Sequence, residues 1–181
     1  QQFKEGVLDK ANEIKDALKK AGIRVKLDDS EKSPGFKFSE QEMRGIPLRV
    51  EVGPKDIENG TCVVVRRDTS EKITMSIDEL ADKLPGLLET IQSDMFNRQI
   101  ERRDSKIYDA HNYDEFKDIV ENKPGFIRGM WCEDKECEVK IKEDTSATSR
   151  CMPFNDKEQI SDVCVCCGKP AKKLVYWGKA Y

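Results

Sequence analysis

Six of the seven cysteines fall between Cys132 and Cys167, and four of them form two pairs, Cys132-x4-Cys137 and Cys164-x2-Cys167, with 26 residues between the pairs. This spacing constrains the fold more than any other feature. Tetrahedral zinc takes four thiolates, and two such turns supply them with little backbone strain. Gly168 follows the last cysteine, which suits a knuckle whose backbone N–H groups turn toward sulfur. In a cytosolic chain the pattern favours metal over disulfides. Two rival readings use the same thiols: a thiol oxidoreductase centred on Cys164-Val-Cys-Cys167, and a domain held by packing alone. The second pair, and the lack of a strand–C-x-x-C–helix context, argue for a closed structural site over the oxidoreductase; the packing reading stays open. Cys166 adds a thiol inside the last pair, so the spacing admits either Cys166 or Cys167 there. Cys151, in Arg-Cys-Met-Pro-Phe, and Cys62, in a Val-rich stretch, read as small core residues.

The stretch Ser33–Lys55 reads as a short helix, a tight turn and a strand. Ser33 is placed to cap the helix, with Pro34 at its first position, where a missing N–H costs nothing. Gly45 turns the chain out and Pro47 stops the helix. Leu48, Val50 and Val52 alternate with Arg49 and Glu51, the period of a strand buried on one face. Phe38 and Glu42 lie four apart on one helical face, Arg49 projects from the strand's other face, and Lys55 follows Gly53-Pro54. An aromatic ring, a carboxylate and two cations can thereby gather on one surface. Taken alone, these residues favour a plainer reading, with Phe38 in the core and Glu42–Arg49 a surface ion pair worth roughly 0–1 kcal/mol.

For 181 residues, two compact units fit better than one, and we place them at 1–106 and 107–181. The net charge of −3 leaves no global basic footprint, so any RNA contact must be local. No apolar run approaches the length of a membrane span. Periodicity predicts a helix over Lys4–Ala21, ended by Gly22, and a strand over Ile23–Leu27. Asn59-Gly60 signals a turn before a strand at Thr61–Arg67. A shorter strand follows at Lys72–Met75, then a capping box at Ser76–Glu79, whose helix Pro85-Gly86 should interrupt or kink before it resumes over Leu87–Arg103. Alternating helices and strands imply an α/β sheet. Because the chain opens on a helix, a first strand upstream of Lys4 is expected to be missing. Arg98, Arg102 and Arg103 read as a solvated helix face. Asn112 should cap a helix over Tyr113–Glu121, and Phe126–Tyr181 carries the cysteine domain. No phosphate-binding loop, dinucleotide fingerprint or catalytic carboxylate pair is present, and His111 lies in a polar loop. This stretch of chain is expected to bind rather than catalyse.

PGFKFSEQEMRGIPLRVEVGP resembles the anticodon-binding domain of prolyl-tRNA synthetases of the archaeal/eukaryotic-like type, and WCEDKECEVKIKE, TSRCMPF and CVCCGKPAKKLVYWGKAY resemble their zinc-binding C-terminal domain. The resemblance implies an α/β anticodon-binding domain, its mixed sheet flanked by helices, followed by a small α+β zinc-binding domain. It carries over to Cys132, Cys137, Cys164 and Cys167 as structural zinc ligands. It also places guanine-reading groups at Glu42, Arg49 and Lys55, with Phe38 near the anticodon bases. The chemistry agrees: a carboxylate accepts from guanine N1 and N2, cations donate to O6 and N7, and an aromatic ring stacks an unstacked loop base. The implied partner is tRNA-Pro, read for a cytoplasmic, homodimeric parent that joins proline to it with ATP and magnesium in an upstream class II catalytic domain. The alternative is a non-catalytic RNA- or protein-binding module of the same fold, which lacks that upstream domain.

Overall fold

The computed structural model describes residues 2–154 and 158–180. Helical spacing at the start produces α1 (Gln2–Lys20). Ile14 and Leu18, one turn apart, are buried in the first core, and Gly22 at φ +81° takes the left-handed turn that ends the helix. The segment Ile23–Leu27, expected as a strand, forms none. Its alternation is genuine, since Ile23 and Val25 pack on the core while Arg24 and Lys26 are exposed. Alternation reports which side of an extended segment is buried; a strand also needs a neighbour to exchange hydrogen bonds, and among the described residues no ladder reaches this one.

In α2 (Pro34–Met43), Ser33 sits at the N-cap and Pro34 at the first position, but the Ser33 hydroxyl makes no capping bond. Its carbonyl accepts from the Lys37 N–H at 3.1 Å instead. Gly45, at φ +79°, swings the chain into β1 (Leu48–Glu51). A single helical turn not foreseen in the sequence, α3 (Pro54–Glu58), follows, with the Asp56 carboxylate accepting from the Gly53 N–H at 2.8 Å. Then come β2 (Thr61–Arg66) and β3 (Lys72–Ser76), which complete an antiparallel sheet of order β1-β2-β3. Leu48, Val50, Cys62 and Val64 face the core shared with Ile14, Leu18, Leu80 and Leu84. The opposite face carries Arg49, Val65 and Lys72 in one cross-strand row.

The expected capping box at Ser76 does not form. Ser76 pairs with Thr61 in the ladder, and the Ile77 N–H continues it to the Gly60 carbonyl at 3.0 Å. A 3₁₀ turn at Ile77–Glu79 leads into α4 (Leu80–Asp104), which runs through Pro85 without interruption. Pro85 removes one backbone donor near the start of a long helix, and burial of Leu80, Leu84 and Ile91 outweighs that loss. Arg66, buried, donates to Asp68 at 2.9 and 3.1 Å and to Asp94 at 2.6 Å, fastening β2 to α4.

The second unit comprises β4 (Ile107–Ala110), α5 (Tyr113–Asn122), β5 (Phe126–Trp131), α6 (Lys135–Thr145), β6 (Ala147–Cys151) and β7 (Lys173–Lys179). Its sheet has the order β4-β5-β7-β6; β4 and β5 are parallel, joined through α5, and the other pairs are antiparallel. Asn112 caps α5 as expected, accepting from the Glu115 N–H at 2.9 Å. Gly125 is required where the chain enters β5: a Cβ there would stand 2.1 Å from the Lys106 carbonyl oxygen. Phe116 meets Trp177 edge-on, with centroids 6.0 Å apart, at the centre of a core that includes Ile127, Ile141, Val165 and Val175. The compact units are Gln1–Asn97 and Arg98–Tyr181, each with its own core. Among the described residues, no helix is long and apolar enough to cross a membrane.

Candidate nucleic-acid interface and metal centre

Three of the four residues expected to read bases come together around Arg49. Its guanidinium lies over the Phe38 ring, 4.0 Å from the centroid. Nη1 donates to Glu42 at 2.7 Å and Nε to Glu51 at 2.8 Å. The helical spacing of Phe38 and Glu42 aims both from α2 at the outer face of β1, and strand alternation puts Arg49 and Glu51 on that face together. Glu51 is absent from the sequence expectation; its signal is the i, i+2 spacing along a strand. Burial works against the charged guanidinium, but the bonds to Glu42 and Glu51 outweigh it and hold its pKa above the usual arginine value.

The Arg49 side chain is 18% exposed while that of Glu42 is 53% exposed. The cation is therefore locked in place, whereas the carboxylate opens to solvent and can exchange partners. Among the described residues Arg49 Nη2 has no hydrogen-bond partner. One fixed donor, one accessible acceptor and a ring beneath them form a polar clamp beside a stacking surface. Lys55 makes no hydrogen bond or ion pair with these three. It is exposed on α3, and among the described residues its ammonium has no partner.

The four paired cysteines do converge: the sulfurs of Cys132, Cys137, Cys164 and Cys167 all lie within 4.8 Å of one another. Cys132 Sγ stands 3.7 Å from both Cys137 Sγ and Cys167 Sγ. A tetrahedron with metal–sulfur bonds of about 2.3 Å has edges of about 3.8 Å, so these separations fit a divalent ion with four thiolates. The local fold prepares the site. Asp134 caps α6 and sets Cys137 in its first turn, where the helix end favours a thiolate. The Trp131 indole donates to the Asp134 carbonyl at 3.1 Å, and Glu133 takes a left-handed conformation at φ +67°. In the second turn Gly168, at φ +72°, donates to the Cys164 carbonyl at 2.9 Å. In each turn a backbone N–H favours the thiolate, that of Asp134 for Cys132 and that of Lys169 for Cys167.

Burial pushes the Cys132 and Cys137 thiols up. Burial also opposes ionisation of Cys167, but the Lys169 N–H and the neighbouring thiols outweigh it and bring that thiol below its usual range. Four crowded sulfurs resist ionising together, and a bound cation removes that resistance. Cys166 is outside the group and packs against the second core. Cys62 is buried, as expected. Cys151, expected in the core, is exposed at the end of β6, where the ladder with β7 shifts register between Ser149 and Cys151.

Comparison with known proteins covers both units. Residues 2–87 match the family described as anticodon binding domain, and residues 113–181 match prolyl-tRNA synthetase, C-terminal. A proline–tRNA ligase of Lachnospira eligens is 67% identical over 180 residues, 99% of this chain and 37% of that protein. One from Agathobacter rectalis is 64% identical over 181 residues, 100% of this chain and 38% of that protein. The crystal structure of prolyl-tRNA synthetase from Cryptosporidium parvum, complexed with L-proline and AMP, matches 96% of this chain and 37% of its own with a TM-score of 0.88 at 38% identity. The chain thus spans little more than a third of the length of these relatives. It belongs to the prolyl-tRNA synthetase family, as the C-terminal region.

Proposed function

We propose that the first unit reads the anticodon of tRNA-Pro and that the second is stabilised by one structural zinc ion. The observation that carries the first reading is the clamp itself, Arg49 held over Phe38 and bonded to Glu42. A guanine stacked on this surface presents N1–H and N2–H to a carboxylate and O6 to a cation. The exposed Glu42 is the acceptor, Arg49 Nη2 a donor, and Lys55, unpaired and exposed on α3, a second donor brought in by the RNA. Adenine turns the O6 acceptor into a donor and lacks the N2 donor, so the same clamp disfavours it. Cys132, Cys137, Cys164 and Cys167 would hold zinc, whose role at a closed four-thiolate site is structural. The whole parent would be a cytoplasmic homodimer that activates proline with ATP and magnesium and esterifies tRNA-Pro, the chemistry lying outside these residues.

Binding to wild-type and anticodon-substituted tRNA-Pro tests the reading. A guanine-to-adenine change should cost roughly 1–3 kcal/mol per base, by analogy with bidentate base readout. Arg49→Ala should weaken cognate binding and shrink that gap. If Arg49→Ala keeps full discrimination, the Arg49–Glu42 contact is only a surface ion pair.

A further inference from the structure

We propose that Arg67 holds an RNA backbone phosphate at the rim of the base-reading clamp, supplying charge where Arg49 supplies direction. The proposal rests on the anticodon reading above and deepens it. Backbone register places the residue. Arg49 stands opposite Val65, and Val65 opposite Lys72, in one row across the outer face of the first sheet. The Arg67 N–H donates to the Pro47 carbonyl at 3.0 Å, carrying the β1–β2 pairing one step further. Two positions beyond Val65, the Arg67 side chain leaves from the same face. It lines a small depression together with Gln41, Glu42, Ile46, Arg49 and Val65.

Charge separates Arg67 from its neighbours. Arg49 is answered by Glu42 and Glu51, and Arg66, on the core face, by Asp68 and Asp94. Arg67 is exposed, and among the described residues its guanidinium has neither ion pair nor hydrogen bond. Lys72, exposed in the neighbouring row and likewise unpaired, adds to the positive potential. An arginine already bonded to two carboxylates contributes hydrogen-bond direction but little net attraction for a polyanion. An unpaired guanidinium gives up no internal partner when phosphate arrives, and its planar fork matches two phosphate oxygens. Phosphate contacts fix the register of a nucleic acid, and base contacts specify its sequence. Arg67 and Arg49, side by side at one depression, divide those tasks.

The test uses the 181-residue chain and two RNA hairpins, the anticodon stem-loop of tRNA-Pro and the same hairpin with its anticodon guanines changed to adenine, titrated by fluorescence anisotropy over a salt series. Arg67→Ala should weaken binding to both hairpins by the same factor, about 4-fold near physiological salt, and make the slope of log K against log salt shallower by about 0.7, the counterion release of one single-strand phosphate contact. Arg67→Lys should keep most of the slope. Unchanged affinity and slope in Arg67→Ala would overturn the proposal, and so would a loss confined to the cognate hairpin, which would make Arg67 a base reader. Arg49→Ala in the same titration keeps the two readings apart. If it retains discrimination while Arg67→Ala flattens the salt dependence, base reading by the clamp fails and the phosphate contact stands.

Discussion

Replacing Cys164 with serine removes one of four converging sulfurs and little else. The side chain is 2% exposed, and serine is smaller by little more than the difference between oxygen and sulfur, so packing loss is slight. The knuckle's backbone bonds, Cys164 N–H to the Lys169 carbonyl at 2.8 Å and Gly168 N–H to the Cys164 carbonyl at 2.9 Å, do not depend on the thiol. The loss is therefore metal binding. With free zinc at a hundred times its dissociation constant, mass action contributes about 2.7 kcal/mol to the native state. In a unit of this size, losing that amount lowers the unfolding midpoint by about 10–20 °C. The second unit has its own core around Phe116 and Trp177, so the variant should stay folded below that midpoint, with loosening concentrated at the two cysteine turns. Elemental analysis should find one zinc per wild-type chain and a large deficit in Cys164→Ser. Thermal unfolding with and without chelator should show a chelator-sensitive transition only in the wild type. Cys151→Ser, altered at an exposed site outside the cluster, should match the wild type in both assays. A zinc-free wild-type protein that unfolds at the same temperature with and without chelator would refute the argument.

Two further substitutions probe the framework. Phe116→Ala empties a fully buried site at the centre of the second core and should cost about 3–5 kcal/mol in denaturant unfolding, while probes in the first unit stay unmoved; a loss below about 1 kcal/mol would remove Phe116 from that role. Gly125→Ala drives a methyl group into the Lys106 carbonyl and should destabilise by about 1–3 kcal/mol, with loss of amide protection along β4 and β5; unaltered exchange there would mean that the backbone yields without strain.

Much of the candidate interface and of the cysteine cluster was legible because local rules suffice for them. Helical spacing put Phe38 and Glu42 on one face, strand alternation put Arg49 on the outer side of β1, and two close cysteine pairs could converge on turns of their own. Other signals misled where a competing contact won. Ser76 looked like a helix cap, yet its backbone was already committed to the ladder with Thr61, and Pro85 looked like a break, yet burial along α4 outweighed one missing donor. Ile23–Leu27 shows the limit most directly, because period-two burial can be read from a single segment but pairing cannot. The sequence by itself determined which faces are apolar, where the chain turns and which thiols stand close in pairs, since all of these follow from side-chain chemistry and spacing along one chain. Only the tertiary structure decided that Arg49 is clamped between Glu42 and Glu51, that Arg67 reaches the same depression unpaired, and that Cys166 packs against the second core, because each depends on which residue a distant segment places opposite it.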